Sequence, residues 1–575
     1  NLTRDWFGGR NFEYLGEDPL LAGTMAGASI EGVQSNRVVS TLKHFSLNSQ
    51  ETLRETTNAR ISEKAHRESD LLAFEIAIER GRPGSVMCGY NLVNNEYACE
   101  NDHLLKQVLK QDWGYKGWVM SDWGAVHSAQ ALAKGLDQQS GSQLDKQVWF
   151  GAPLEAEIKA GRIDRARLSD AVRRVLRSVF AVGADKLEAQ PVADPASHAA
   201  LARKAAAQGM VLLKNDGILP LAADAKSILV VGGTANVGVM SGWGSSQVTP
   251  KGGYGAVVPL GGRSGFPELS RQNFHPSAPL AALKAAFPKA VVSFESGYFP
   301  EAAAAYAAKS DLVVVFATQW QGESIDGSSL TLPNGQDTLI SAVARANPRT
   351  VVVLETGNPV TMPWLDKVGA VLQAWYPGSE GGPAIADVLS GAVNPSGRLP
   401  MTFPASVDQA PRAAPPGQGE PAGTRIDIDY VEGADVGYRW YAARGAKPLF
   451  AFGHGLSYTT FAYRDLKLIR RGDEIEATVV VTNTGRRGGG EVTQLYLVEV
   501  PGRTMRRLAG FARTELGAGE TQLVRIAIDR RLLSDWDSLG WTMKAGSYRF
   551  QLGKSAEDLL DSGMAITLPA GRLRH

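Results

Sequence analysis

Across residues 1–190, short apolar runs alternate with amphipathic stretches: "RVVSTLKHF", the helical "EKAHRESDLLAFEIAIERG", "GSVMCGYN", "DHLLKQVLKQDWG" and "GWVMSDW". Strand, helix, strand, helix, strand predicts parallel βα units. Each apolar run stops at polar residues on its carboxyl side: Lys43 and His44, Tyr90 and Asn91, Ser121 and Asp122. A single Ser-Asp pair there reads as a turn. Several polar strand ends at matching positions point instead to a site, because barrel folds gather their chemistry at the carboxyl ends of their strands.

From residue 200 the pattern changes to β-branched runs, "KSILVVGG", "DLVVVFATQW", "RTVVVLETGN" and "VGAVLQAWYPG". Ala-rich helical stretches such as "APLAALKAAF" and "GQDTLISAVARAN" separate them. Continuous apolar strands between helices predict a largely parallel sheet covered on both faces. Beyond the Pro/Gly-rich "QAPRAAPPGQGEPAGT" the period becomes two, in "EIEATVVVTNTG", "GGEVTQLYLVEV", "TQLVRIAID" and "GSYRFQLGKS". That predicts an antiparallel β-sandwich resembling a fibronectin type III module. The expected class is therefore multidomain α/β plus β. Residues 1–190 form part of a TIM-like (β/α) barrel, 200–425 an α/β sandwich, 426–462 a linker and 463–575 the β-sandwich. A complete barrel of eight βα units takes about 250 residues. The sequence is accordingly expected to begin inside the barrel, with an N-terminal barrel segment supplied from outside it.

Composition narrows the classes. A net charge of +1 over 575 residues leaves no basic field for nucleic acid. No apolar run is long enough for a membrane helix, and a soluble chain in a periplasmic or secreted location is expected. The glycines of "VVGGTANVG" lack the spacing of a dinucleotide fingerprint, so no cofactor is expected. Cys88 and Cys99 have no metal-ligand spacing. They are expected to be free thiols, Cys88 being a packed residue of a buried strand.

Several strings, in order, resemble glycoside hydrolase family 3 of the β-glucosidase type: "GGRNFEYLGEDP", "TLKHFSLNSQE", "MCGYNLVNNEYACEN", "MSDWGAV", "LPNGQ", "WYPGSEGGPAIADVLSGAVNPSGRLPMTFP" and "FAFGHGLSYTTF". The resemblance implies that Asp122 is the nucleophile, ionised so that it can form a glycosyl ester. It implies that Arg10, Lys43, His44, Met87 and Tyr90 surround the sugar, with Trp123 offering a ring face. The acid/base falls on Glu323 in "ATQWQGESIDGSSLTLPNGQ", where Ser324 replaces the usual following glycine and Asp326 is a nearby competitor. Its pKa is expected to be raised, by apolar surroundings and by Asp122. Trp320 and Asp326 are placed at the mouth of the site, and the preceding "MSGWGSSQVTP" adds Trp243 and Ser245. No metal is implied.

The implied activity is that of a retaining exo-acting β-glucosidase on β-glucosides or short β-gluco-oligosaccharides. A β-xylosidase or broad β-glycosidase with the same mechanism stays open, as does a homodimer. A non-catalytic carbohydrate-binding protein is disfavoured by the presence of both carboxylates. The N-acetylglucosaminidase branch is disfavoured because its longer His-containing string after "KHF" is absent.

Overall fold

The computed structural model describes residues 1–186, 194–261, 270–538 and 540–573. The boundary expected at residue 190 lies outside the described residues. In the N-terminal domain the strands Thr41–Phe45, Ser85–Cys88 and Trp118–Met120 form one parallel sheet, with Ser85–Cys88 in the centre. Val86, Cys88 and Val119 are fully buried. Their apolar faces pack on the helix Asp70–Gly81 through Leu71, Phe74 and Ile78. The stretch expected as one helix over 63–81 is divided into Glu63–Arg67 and Asp70–Gly81. The reason for the break is local: Ser69 leaves helical backbone geometry and turns its hydroxyl back to the Ala65 carbonyl at 2.6 Å.

The second domain carries a six-stranded sheet in the order Val291–Glu295, Ser227–Val231, Leu312–Gln319, Thr350–Thr356, Ala370–Gln373 and Val211–Asn215. All neighbours are parallel except the last pair. Val313–Val315 and Val351–Val353 are fully buried, as a sheet covered by helices on both faces requires. The C-terminal domain packs the sheet of Phe461–Arg471, Glu474–Asn483 and Thr521–Ile528 against that of Arg503–Leu516, Gly489–Val500, Gly546–Gly553 and Leu559–Leu568. It docks on the N-terminal domain through Arg531, whose guanidinium meets Glu79 at 2.6 Å.

Two expectations are corrected. Residues 426–462 do not form a loose linker. Ile426–Asp429 adds a parallel strand beside Thr57–Arg60, and the helix Tyr438–Arg444 is held by Asp18, which accepts from Tyr438 Oη at 2.7 Å and Arg439 Nη2 at 2.9 Å. Partners more than 360 residues away in sequence order this segment, and its own composition gives no sign of them. Cys88 and Cys99 are joined in a disulfide, with their Cα atoms 5.1 Å apart. The short hairpin of Leu92–Val93 and Glu96–Tyr97 turns the chain back, and Ala98 N–H donates to Asn91 O at 2.9 Å. This return places Cys99 against the end of the Cys88 strand.

Candidate active site

The carboxyl ends of the three parallel strands open into a cavity of about 750 Å³ between the first and second domains. Lys43, Met87, Tyr90, Asp122 and Trp123 line it from below, and Arg10 closes one side. Trp243, Ser245 and Glu323 reach in from loops of the second domain. Asp122 lies just beyond the buried strand Trp118–Met120 and is 7% exposed. Its Oδ1 accepts the Trp123 N–H at 2.8 Å. Burial raises its pKa, opposed by that N–H, by the Tyr90 hydroxyl and by Arg54 and Lys43. Lys43 makes no hydrogen bond or ion pair among the described residues, so its ammonium is free to donate to a bound hydroxyl.

His44 sits one layer behind the cavity wall, 1% exposed. Its Nε2 is 3.3 Å from Arg10 Nη1 and 3.4 Å from Asp122 Oδ2. Burial first, then the neighbouring Arg10 and Lys43, keep the ring well below the usual histidine range and hence neutral. Neutral, its Nε2 accepts from Arg10 and so helps to orient that guanidinium; it stands beside Asp122 without a hydrogen bond to it and does not line the cavity. Arg10 is fixed at the other end by both oxygens of Glu13, each at 2.8 Å. Trp123 is 40% exposed, with its indole laid over Gly141. A Cβ at residue 141 would lie 2.0 Å from Trp123 Cδ1, and φ there is +66°, so a side chain would both clash and strain the backbone.

The Glu323 loop is held from both domains. Glu323 N–H donates to Trp243 O at 3.0 Å, and Oε2 accepts Ser245 N–H at 2.7 Å. Oε1 lies 2.9 Å from Arg54 Nη1 and 3.5 Å from Arg10 Nη1. Burial acts to raise the pKa of this carboxyl. The two guanidinium groups and the Ser245 N–H outweigh it and bring the group down to about 2. The expectation of a raised value is thus corrected: the surroundings are cationic rather than apolar.

Asp326 is not a competing acid. It is buried, and its oxygens accept the backbone N–H groups of Gly9 at 2.9 Å, Glu51 at 3.0 Å and Thr52 at 2.7 Å. It therefore pins the second-domain loop to two loops of the first. Gly9 allows that approach, since a Cβ there would lie 1.8 Å from Ile325 O. Trp320 donates to Arg271 O at 3.0 Å and packs beside Trp243, their rings 6.3 Å apart, behind the wall rather than in it.

Sequence reasoning missed Arg54, which bridges Glu51 and Glu323 and lies 4.5 Å over the Tyr90 ring. It also missed Leu144, Asp145, Gln247 and Arg271 at the cavity rim. Arg54 stands three residues after the "SQE" string, but nothing local marks its partner 269 positions away.

A carboxylate at a strand end, with a second presented across the same sugar-sized cleft among hydroxyl-binding cations, defines a class, that of glycoside hydrolases. Models of the glycosyl hydrolase family 3 N terminal domain match residues 1–178, the C-terminal domain model matches 210–458, and a fibronectin type III-like domain matches 491–556. The thermostable beta-glucosidase B of Acetivibrio thermocellus is 37% identical over 588 residues, covering 97% of this chain and 73% of that protein. An exo-alpha-(1->6)-L-arabinopyranosidase of Bifidobacterium longum is 35% identical, covering 99% and 74%. Among solved structures, the beta-glucosidase DesR of Streptomyces venezuelae in complex with D-glucose superposes with a TM-score of 0.89 at 32% identity, covering 99% of this chain and 86% of that one. The chain belongs to glycosyl hydrolase family 3. Among the described residues, no helix is long and apolar enough to cross a membrane.

Proposed function

We propose that this chain is a retaining, exo-acting β-glucosidase in which Asp122 is the nucleophile and Glu323 the acid/base. One observation carries the assignment. Asp122, at a strand end of the first domain, and Glu323, on a loop of the second, line the same cavity. In the first step an Asp122 oxygen bonds to the anomeric carbon as the glycosidic C–O bond breaks, and Glu323 gives its proton to the departing oxygen. In the second, Glu323 takes a proton from water, the water oxygen bonds to the anomeric carbon and the Asp122 ester is released. Lys43 and Arg10 donate to the sugar hydroxyls, and Trp123 packs on the C–H face of the bound sugar or its aglycone. The reading requires Glu323 to take up a proton as the sugar enters, when the ring displaces water and weakens its contacts with Arg10 and Arg54.

The test is labelling with a 2-deoxy-2-fluoro-β-glucoside followed by peptide mapping, together with azide rescue of Glu323→Ala. Label on Asp122 and an azide-dependent return of turnover on activated aryl glucosides support the roles. Label on another carboxylate, or equal loss on activated and unactivated substrates without rescue, overturns them. The arabinopyranosidase relative favours one second reading, cleavage of another pyranoside by the same residues. A panel of nitrophenyl glycosides compared by kcat/KM separates the two. The Cys88–Cys99 disulfide also supports a periplasmic or secreted location, since such bonds persist in oxidising compartments. Cell fractionation tests this.

A further inference from the structure

A second cavity, of about 700 Å³, lies where the N-terminal domain, the Tyr438–Arg444 helix and the β-sandwich meet. It shares no lining residue with the cleft. Lys64, Arg439, Arg503, Arg506 and Arg507 reach it, against the acids Glu68 and Asp435. Most of these cations already have partners. Arg439 meets Asp18 at 2.9 Å, Arg503 meets Asp535 at 2.6 Å, and Lys64 pairs with Glu68. Arg506 approaches Glu557 only to 3.5 Å, and its Nε and Nη1 have no hydrogen-bond acceptor.

Arg507 stands apart. It is 6% exposed, its hydrogen bond runs from Nη1 to Leu532 O at 2.8 Å, and its Nε has no acceptor. Among the described residues no carboxylate comes within ion-pairing distance of it. Burial first, then the like charge of Arg439, outweighs the favourable field of the more distant Glu68 and pushes its guanidinium down to about 10, which leaves it ionised at neutral pH. A buried guanidinium with no carboxylate at ion-pairing distance and an unpaired Nε–H is costly, and an oxyanion with several lone pairs is the partner that a guanidinium edge fits best.

We propose that this cavity binds a small organic molecule through an oxyanion, phosphate or carboxylate, with Arg507 as the counter-ion and Arg506 as a second donor. The volume is several times that of the anionic group alone, which leaves room for an organic body. Because the cavity is walled by elements of the N-terminal and C-terminal domains, occupancy would brace the docking of the β-sandwich on the barrel-type domain. The proposal does not depend on the catalytic assignment.

The experiment is calorimetric titration and thermal unfolding of the full chain with inorganic phosphate, citrate or chloride at matched ionic strength. Saturable binding of phosphate or citrate is expected, with a rise in Tm that chloride does not give. A response to phosphate alone assigns a phosphoryl ligand, and one to citrate alone a carboxylate. Arg507→Met should weaken binding at least about tenfold and abolish the Tm shift. Without anion it should unfold no earlier than the native chain, because it removes an unpaired buried charge. Arg506→Gln should weaken binding by a smaller factor, and neither change should alter kcat on an aryl glucoside. Two results would each overturn the proposal: native protein that shows no saturable binding and responds to all three salts alike, or Arg507→Met that binds as the native chain does. If Arg507→Met does not fold, the native titration and Arg506→Gln still decide.

Discussion

Replacing Arg54 with methionine isolates the electrostatics of Glu323, the proposed acid/base. Glu323 is held at about 2, below its ordinary 4.5, because Arg54 at 2.9 Å, Arg10 at 3.5 Å and the Ser245 N–H outweigh its burial. A charge pair about 3 Å apart at an effective dielectric of ~20 is worth ~5 kcal/mol before desolvation. Desolvation removes more than half of that, so deleting Arg54 while Arg10 and Ser245 remain should raise the Glu323 pKa by about 1–2 units. The stability consequence has a definite sign. A carboxyl depressed from 4.5 to about 2 contributes stability that is fully present above pH 4.5 and lost as pH falls toward 2. The full contribution is roughly 3 kcal/mol, and Arg54→Met forfeits about half or more of it. The assay is carboxyl ¹³C NMR of Glu-labelled protein, with Glu323→Gln to assign the signal. The native signal should show no titration down to about pH 4, whereas the variant's should begin to shift by about pH 4.5. In parallel, kcat/KM on cellobiose relative to a dinitrophenyl glucoside should improve, since more of the acid is protonated. A native Glu323 titrating near 4.5, or one unmoved by the substitution, would refute the reasoning.

Asp326→Ala should cost about 2–4 kcal/mol, because it strands buried N–H groups of Gly9, Glu51 and Thr52; by loosening the loop that aims Glu323 it should depress turnover on unactivated glucosides more than on activated ones, as seen by Tm and by paired kinetics. Ser324 holds φ at +71°, a left-handed backbone costing about 1–2 kcal/mol for a residue with a Cβ, so Ser324→Gly should keep full activity and unfold no earlier in urea. Reducing Cys88–Cys99 reopens an eleven-residue separation and should lower stability by about 2–3 kcal/mol; the intact denatured chain should weigh about 2 Da less before reduction than after it.

The strand-end rule located the floor of the cleft from sequence because it is local. Each parallel strand carries a polar residue at or just past its carboxyl end: Lys43 lies within Thr41–Phe45, Tyr90 two residues past Cys88 and Asp122 two residues past Met120. His44 was legible as a site residue but not as a buried one. Its neighbour Lys43 carries the exposed face, and period-two alternation could have separated the two. Glu323 was placed by resemblance alone, and its charge environment was misjudged because Arg10 and Arg54 meet it only through domain packing. The same blindness to distant partners made 426–462 look like a linker, when a strand pairing with Thr57–Arg60 orders it. The thiol pair was misread for a related reason, since alternation describes Cys88 on its strand and says nothing of where the following hairpin returns.

The two carboxylates of the cleft ride on separate pieces of the gene. Asp122 is set by a strand of the first domain, whereas the aim of Glu323 depends on the loops 242–247 and 320–326 of the second. Sequence drift or recombination confined to those loops alters how the proposed proton donor meets the leaving group, and leaves the first-domain half of the cleft intact. New aglycone preferences are therefore within reach of small exchanges in one segment, while the inherited sugar grip acts as the fixed anvil against which each new arrangement is tried.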